Sequence, residues 1–226
     1  MIARVGEIQI AYDDVGTGTP IVLIHGFPHN RTLWASQLRG FAPRFRCIAP
    51  DLRGFGDSDV QGPYSMDQYA DDIAGLLDAL AIERAIVAGV SMGGYIAFAL
   101  WRRHRERVLA FVLAHTRPGA DAEPNRSKRR ELIALARTLG PSAVADAMVD
   151  DMVGRTTRQR HPELVHAVHV MLASAPVAGI VGALEAMMER PDSTPTLSTI
   201  DVPTLIIAGE EDVLAPLRDA EAMHRA

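Results

Sequence analysis

Cysteine is almost absent from this sequence: Cys47 stands alone among 226 residues. One thiol excludes an internal disulfide and is compatible with a reducing compartment. In the apolar-leaning stretch 45–49 it reads as a buried structural group. Long apolar runs are missing too. No stretch approaches the roughly 18 residues of a membrane span, and residues 1–8 hold no apolar signal core, so the chain reads as soluble, cytoplasmic and without a membrane partner. Nor is there an excess of positive charge: 23 Lys and Arg against 28 Asp and Glu leave a net charge of -5. That balance gives no long-range attraction to nucleic acid and favours a small neutral or modestly charged ligand. Two basic runs, 102–107 and 126–130, fall at a helix end and on a helix face, where cations are solvated or meet the negative end of the helix dipole. Internal repeats and low-complexity linkers are also lacking, and 226 residues with 48% hydrophobic side chains suit a single domain, 1–226.

The apolar pattern that is present has two periods. Residues 7–12 alternate as a half-buried strand does, and Gly6 marks a hairpin turn from 2–5. Continuous apolar runs of strand length then recur at 21–24, 46–49, 85–90, 108–114 and 204–208, alternating with helical pattern at 66–80 and 92–101. This is the signature of an α/β fold, a mostly parallel central sheet with helices on both faces. Between about 116 and 199 the strand pattern disappears and four helical segments are expected, three of them opening on Pro141, Pro162 and Pro176. The block reads as a helical lid inserted into a core of 1–115 and 200–226, placed over the C-terminal edge of the strands.

Gly89-Val90-Ser91-Met92-Gly93 fits G-x-S-x-G, follows an apolar strand and opens a helix. A nucleophile elbow requires that setting, because a serine in a strained turn needs small neighbours two residues to either side. Acyl transfer also needs donors aimed at the developing oxyanion. His25-Gly26-Phe27-Pro28 follows the strand at 21–24 and lies at the same sheet edge, so the backbone N–H groups of Phe27 and Met92 are the candidate oxyanion hole. His25, at a strand end, reads as a residue that orients this loop rather than as a base.

These segments, with Asp51-Leu52-Arg53-Gly54-Phe55-Gly56-Asp57-Ser58 between them, resemble the α/β-hydrolase superfamily in order and spacing. The likeness is to the branch of enol-lactonases, small-molecule esterases and cofactor-free haloperoxidases. It implies a hydrolase of small esters or lactones that works through an acyl-serine, with no cofactor and no metal. The stretch 209–216 resembles the turn that carries the family's acid, with Asp212 at that position. Glu210 and Glu211 compete for the role, and the cluster also reads as a cap for the following helix.

The resemblance further implies a histidine base after one more strand. The sequence as given ends at Ala226, in the helix after Asp212, so a last strand and helix are expected to be absent and turnover impaired. His115, ending the strand at 108–114, and His224, on the final helix, are the candidate substitute bases. His166 and His169 share a helix face with Glu163, too few ligands for a metal site. Met148, Met152, Met171, Met187 and Met188 either line an apolar acyl pocket or pack within the lid. An open edge at 204–208 predicts self-association. A non-catalytic small-molecule binding protein and a perhydrolase or haloperoxidase are the competing functions.

Overall fold

The computed structural model describes residues 1–226. Seven strands form one sheet: β1 (Ile2–Val5), β2 (Ile8–Val15), β3 (Thr19–Ile24), β4 (Phe45–Pro50), β5 (Ala85–Val90), β6 (Val108–Ala114) and β7 (Thr204–Ile207), in the order β1-β2-β4-β3-β5-β6-β7. β1 and β2 are antiparallel, and from β4 onward every pair is parallel. Parallel strands joined by helices place all their C-terminal ends on one edge, so the turns after β3, β5, β6 and β7 converge there.

Alternation along the strands separates two apolar layers. Val22, Ile24, Ile48 and Val87 face a large cluster that includes Tyr69, Ile73 and Leu77 of α2 (Met66–Ala79) and nearly the whole of α3 (Met92–His104). Ser65 caps α2, accepting the Gln68 N–H at 2.9 Å. Ile21, Leu23, Cys47 and Ala49 face the opposite side, where Leu38 of α1 (Ala35–Phe41) covers them. Cys47 is a fully buried thiol, as its apolar surroundings predict. α1 and the 3-10 turn before it, Arg31–Trp34, are too short for a helical period to stand out in the sequence.

Between β6 and β7 the chain is helical, but in six pieces rather than the four expected: α4 (Glu123–Leu139), α5 (Pro141–Met152), α6 (Arg155–Arg160), α7 (Pro162–Ala173), α8 (Val177–Glu189) and α9 (Thr194–Leu197). The two extra pieces, α6 with six polar residues and α9 with four residues, are too short to carry an apolar period to read. Ile133, Val144, Ile180 and Leu184 of this block join the same buried cluster as the sheet. α10 (Leu217–Arg225) closes the chain and buries Ala220 and Met223. No single helix is long and apolar enough to cross a membrane.

Candidate active site

Ser91 sits at the junction of β5 and α3 with φ 53° and ψ -114°, a backbone conformation that a side chain other than glycine adopts only under strain. The neighbours enforce it. A Cβ on Gly89 would overlap the Gly93 carbonyl, and a Cβ on Gly93 would overlap the Ile24 carbonyl. The Ser91 backbone is anchored on both sides, its N–H donating to the Ala114 carbonyl at 2.9 Å and its carbonyl accepting the Thr116 hydroxyl at 2.8 Å. Its side chain is left unpaired and lines a cavity of about 260 Å³.

The loop after β3 forms a second wall. Gly26 lies so close that a Cβ there would stand 3.3 Å from Ser91 Cβ. The Phe27 N–H finds no acceptor within the chain. Met92 opens α3, so its N–H belongs to the four that a helix leaves without an internal partner. His25 orients this loop rather than facing the cavity. It is fully buried, its Nδ1–H donates to the Gly26 carbonyl at 2.8 Å, and its Nε2 accepts the Leu52 N–H. Burial lowers its pKa to about 4, so the ring is neutral.

The turns after β6 and β7 supply a third wall. His115, at φ 49°, directs Nδ1 to Asp212 Oδ2 at 2.7 Å. Asp212 Oδ1 accepts the N–H groups of Leu214 and Ala215, each at 2.8 Å, so the carboxylate closes its own turn; it does not cap the following helix, which starts after Pro216 with no side-chain cap, contrary to the capping reading. Burial alone would push the Asp212 carboxyl up. The His115 hydrogen bond and the two backbone donors outweigh it and hold the group below the usual carboxylate range. Glu211 is engaged elsewhere, accepting the Thr156 N–H at 2.9 Å and its hydroxyl at 2.6 Å, which ties the β7 turn to α6.

The structure therefore gathers Ser91, Phe27, His115 and Asp212 around one cavity, with Met92 beside Ser91 in the chain. His224 lies exposed on the last turn of α10, outside this group. His169 hydrogen-bonds Asp146 of α5 at 2.7 Å, a contact within the helical block. Of the methionines, Met152 lines the cavity, whereas Met187 is buried in the core.

Two parts of the cavity wall belong to no sequence motif. His29, four residues beyond His25, lines the cavity, and burial lowers its pKa to about 4. Its only signal in the sequence is a second imidazole on a loop already assigned to the site. Val153, Gly154 and Val168 of the helical block form the roof, and nothing in a helical pattern reveals which residues face a distant loop.

Comparison with known proteins bears on the chain and its fold as a whole. The sequence profile described as alpha/beta hydrolase fold matches residues 19–149. An AB hydrolase superfamily protein, YisY, of Bacillus subtilis is 31% identical over 97% of this chain and 84% of its own length. The 3-oxoadipate enol-lactonase 2 of Acinetobacter baylyi is 30% identical over 85% of this chain and 71% of its own. Among solved structures, a thermophilic esterase from Thermogutta terrifontis superposes with a TM-score of 0.95 at 38% identity, covering 100% of this chain and 85% of that one.

Proposed function

We propose that this chain, which belongs to the α/β-hydrolase family, hydrolyses small esters or lactones through an acyl-enzyme on Ser91. The observation that carries the reading is the unpaired Ser91 side chain, held at positive φ against a cavity whose other walls present the Phe27 N–H and the His115–Asp212 pair. Family membership supports hydrolysis, and the similarity to an esterase and an enol-lactonase supports the substrate class.

The chemistry follows from placement. Ser91 Oγ attacks the carbonyl carbon, and the carbonyl electron pair moves onto oxygen. The N–H groups of Phe27 and Met92 receive that oxyanion, and fixed donors need no reorganisation as the charge develops. Collapse expels the alcohol, or opens the lactone ring, and leaves an acyl-serine that water cleaves. A cavity of about 260 Å³ suits a small acyl group, and the helical block acts as the lid that shapes it.

A panel of short-chain esters and lactones offered to the wild type and to Ser91→Ala tests the proposal. Hydrolysis that disappears in the variant supports it. Hydrolysis that survives in a folded Ser91→Ala overturns it.

A further inference from the structure

The chain crosses the rim of the Ser91 cavity on a segment with little of its own to hold it. α6 consists of Arg155, Thr156, Thr157, Arg158, Gln159 and Arg160, and none of these is buried. So short a helix does not persist alone, and no side chain of its own segment caps its first turn. Arg158 faces Asp150 at 3.4 Å, a pairing of exposed groups that contributes little. The firm contact comes from the sheet. Glu211, in the turn after β7, accepts the Thr156 N–H on Oε2 at 2.9 Å and the Thr156 hydroxyl on Oε1 at 2.6 Å. These two donors, ahead of the charges of Arg155 and Arg158, hold the Glu211 carboxyl below its usual range, so both bonds are charge-assisted at neutral pH.

Gly154 makes the approach possible. It belongs to the cavity roof with Val153, and a Cβ on it would stand 2.5 Å from Glu211 Oε2. Its backbone is ordinary, at φ -60° and ψ 151°, so the glycine is required for room rather than for conformation. The next residue after Glu211 is Asp212, whose carboxylate closes the same turn on the Leu214 and Ala215 N–H groups. One neighbour thus shapes the turn and the other fastens the lid to it.

A larger chamber lies next door. A cavity of about 400 Å³ opens between α4 and α5 over Leu132, Leu135 and Met148, and it shares Asp151, Met152 and Leu214 with the Ser91 cavity. Met152 ends α5, two residues before Gly154, and Leu214 comes three residues after Glu211. The partition between the chambers therefore hangs on the two segments that the Glu211–Thr156 contact joins.

Resting on the Ser91 reading, we infer that Glu211 is a positioning residue: its contact with Thr156 fixes the roof and this partition, and so selects esters with short acyl groups. With the contact made, about 260 Å³ faces Ser91 and a short acyl group is held under the roof. With it broken, the unbranched Met152 side chain moves aside and a longer straight chain reaches the apolar chamber over Leu132 and Leu135.

Two measurements on the full chain test this. Trypsin cuts after Arg155, Arg158 and Arg160 when α6 opens, so the nicking rate reads the contact independently of catalysis. Initial rates on p-nitrophenyl acetate and p-nitrophenyl octanoate read the partition. In Glu211→Ala nicking should quicken by about 10-fold, the low end for hydrogen bonds to a charged group. The kcat/KM for octanoate relative to acetate should rise by about 10-fold, with the acetate loss falling on KM rather than kcat. Because Glu211 adjoins Asp212, Gly154→Ala repeats the test from the lid side, where the added methyl displaces the carboxylate. It should reproduce both changes and add nothing to Glu211→Ala. Wild-type nicking and wild-type ester preference in both folded variants overturn the inference. Faster nicking with an unchanged preference overturns it too, leaving a contact that only stabilises α6. Neither result touches Ser91, whereas hydrolysis that survives in folded Ser91→Ala, or is absent from the folded wild type, overturns the Ser91 reading and this inference with it.

Discussion

His25 Nε2 accepts the Leu52 N–H at 3.0 Å and thereby ties the oxyanion loop to the turn after β4. A neutral ring is required for this, because a protonated imidazole has no acceptor. Burial lowers both His25 and His29 from about 6.5 to about 4. Between those values the unfolded chain binds more protons than the folded one, so stability is complete above about pH 6.5 and falls as pH drops toward 4, by at most about 1.4 kcal/mol per histidine per pH unit. Urea unfolding at a series of pH values should show this slope, shallower in His25→Gln. A midpoint that is flat over this range contradicts the account.

The elbow tolerates no side chain at Gly93, where a methyl group would overlap the Ile24 carbonyl. Gly93→Ala should lower stability by more than about 2 kcal/mol, because the obstacle is backbone and cannot rotate away. Thermal unfolding measures it, and a wild-type melting temperature would show that the β3–α3 approach is looser than described.

His115 and Asp212 should act as one unit. Asp212→Asn and His115→Gln are each expected to reduce kcat/KM by about 10²-fold or more, with the double variant little worse than the poorer single one, since linked residues are not additive. Multiplying losses would mean that the two side chains contribute independently.

Asp121, in the loop after β6, ties the two ends of the helical block together and, through Arg190, to α3. Its carboxylate is fully buried and is shared by Arg117, Arg129 and Arg190, while Arg190 stacks 4.0 Å from the Tyr95 ring centre on α3. Removing the carboxylate leaves buried guanidinium charge uncompensated, so Asp121→Ala should cost about 3–5 kcal/mol in chemical denaturation. A cost below about 1 kcal/mol would show that water replaces the carboxylate.

β7 is the last strand of the sheet, with Leu205 and Ile207 exposed at 56% and 43% beside an apolar groove of about 520 Å³. An unpaired apolar edge favours pairing with another copy. Light scattering after size-exclusion chromatography should show mass rising with concentration, less so in Leu205→Lys. A monodisperse monomer at high concentration contradicts the expectation.

Legibility in the sequence followed the range of the signal. The strands and the α2 and α3 crossovers were readable because each carries its own period, and Ser91 because the Gly89 and Gly93 spacing reports a local steric demand. The boundary of β2, which runs to Val15 rather than to residue 12, was missed because Asp13 and Asp14 break the apolar alternation while still pairing with Ala49 and Ile48. His115 illustrates the other limit. Its place at a strand end was evident, but its bond to Asp212, 97 residues away, depends on the β6–β7 pairing and on the turn that Asp212 itself closes.

The central claim is that acyl transfer passes through Ser91. Mixing the full chain with excess p-nitrophenyl acetate, quenching in acid within the first turnover and mapping the peptides measures it directly. The account predicts a burst of p-nitrophenol and one acetyl group on the peptide containing Ser91, both absent in Ser91→Ala. Ester turnover with no acyl group at Ser91, or with an adduct on another residue, would contradict it.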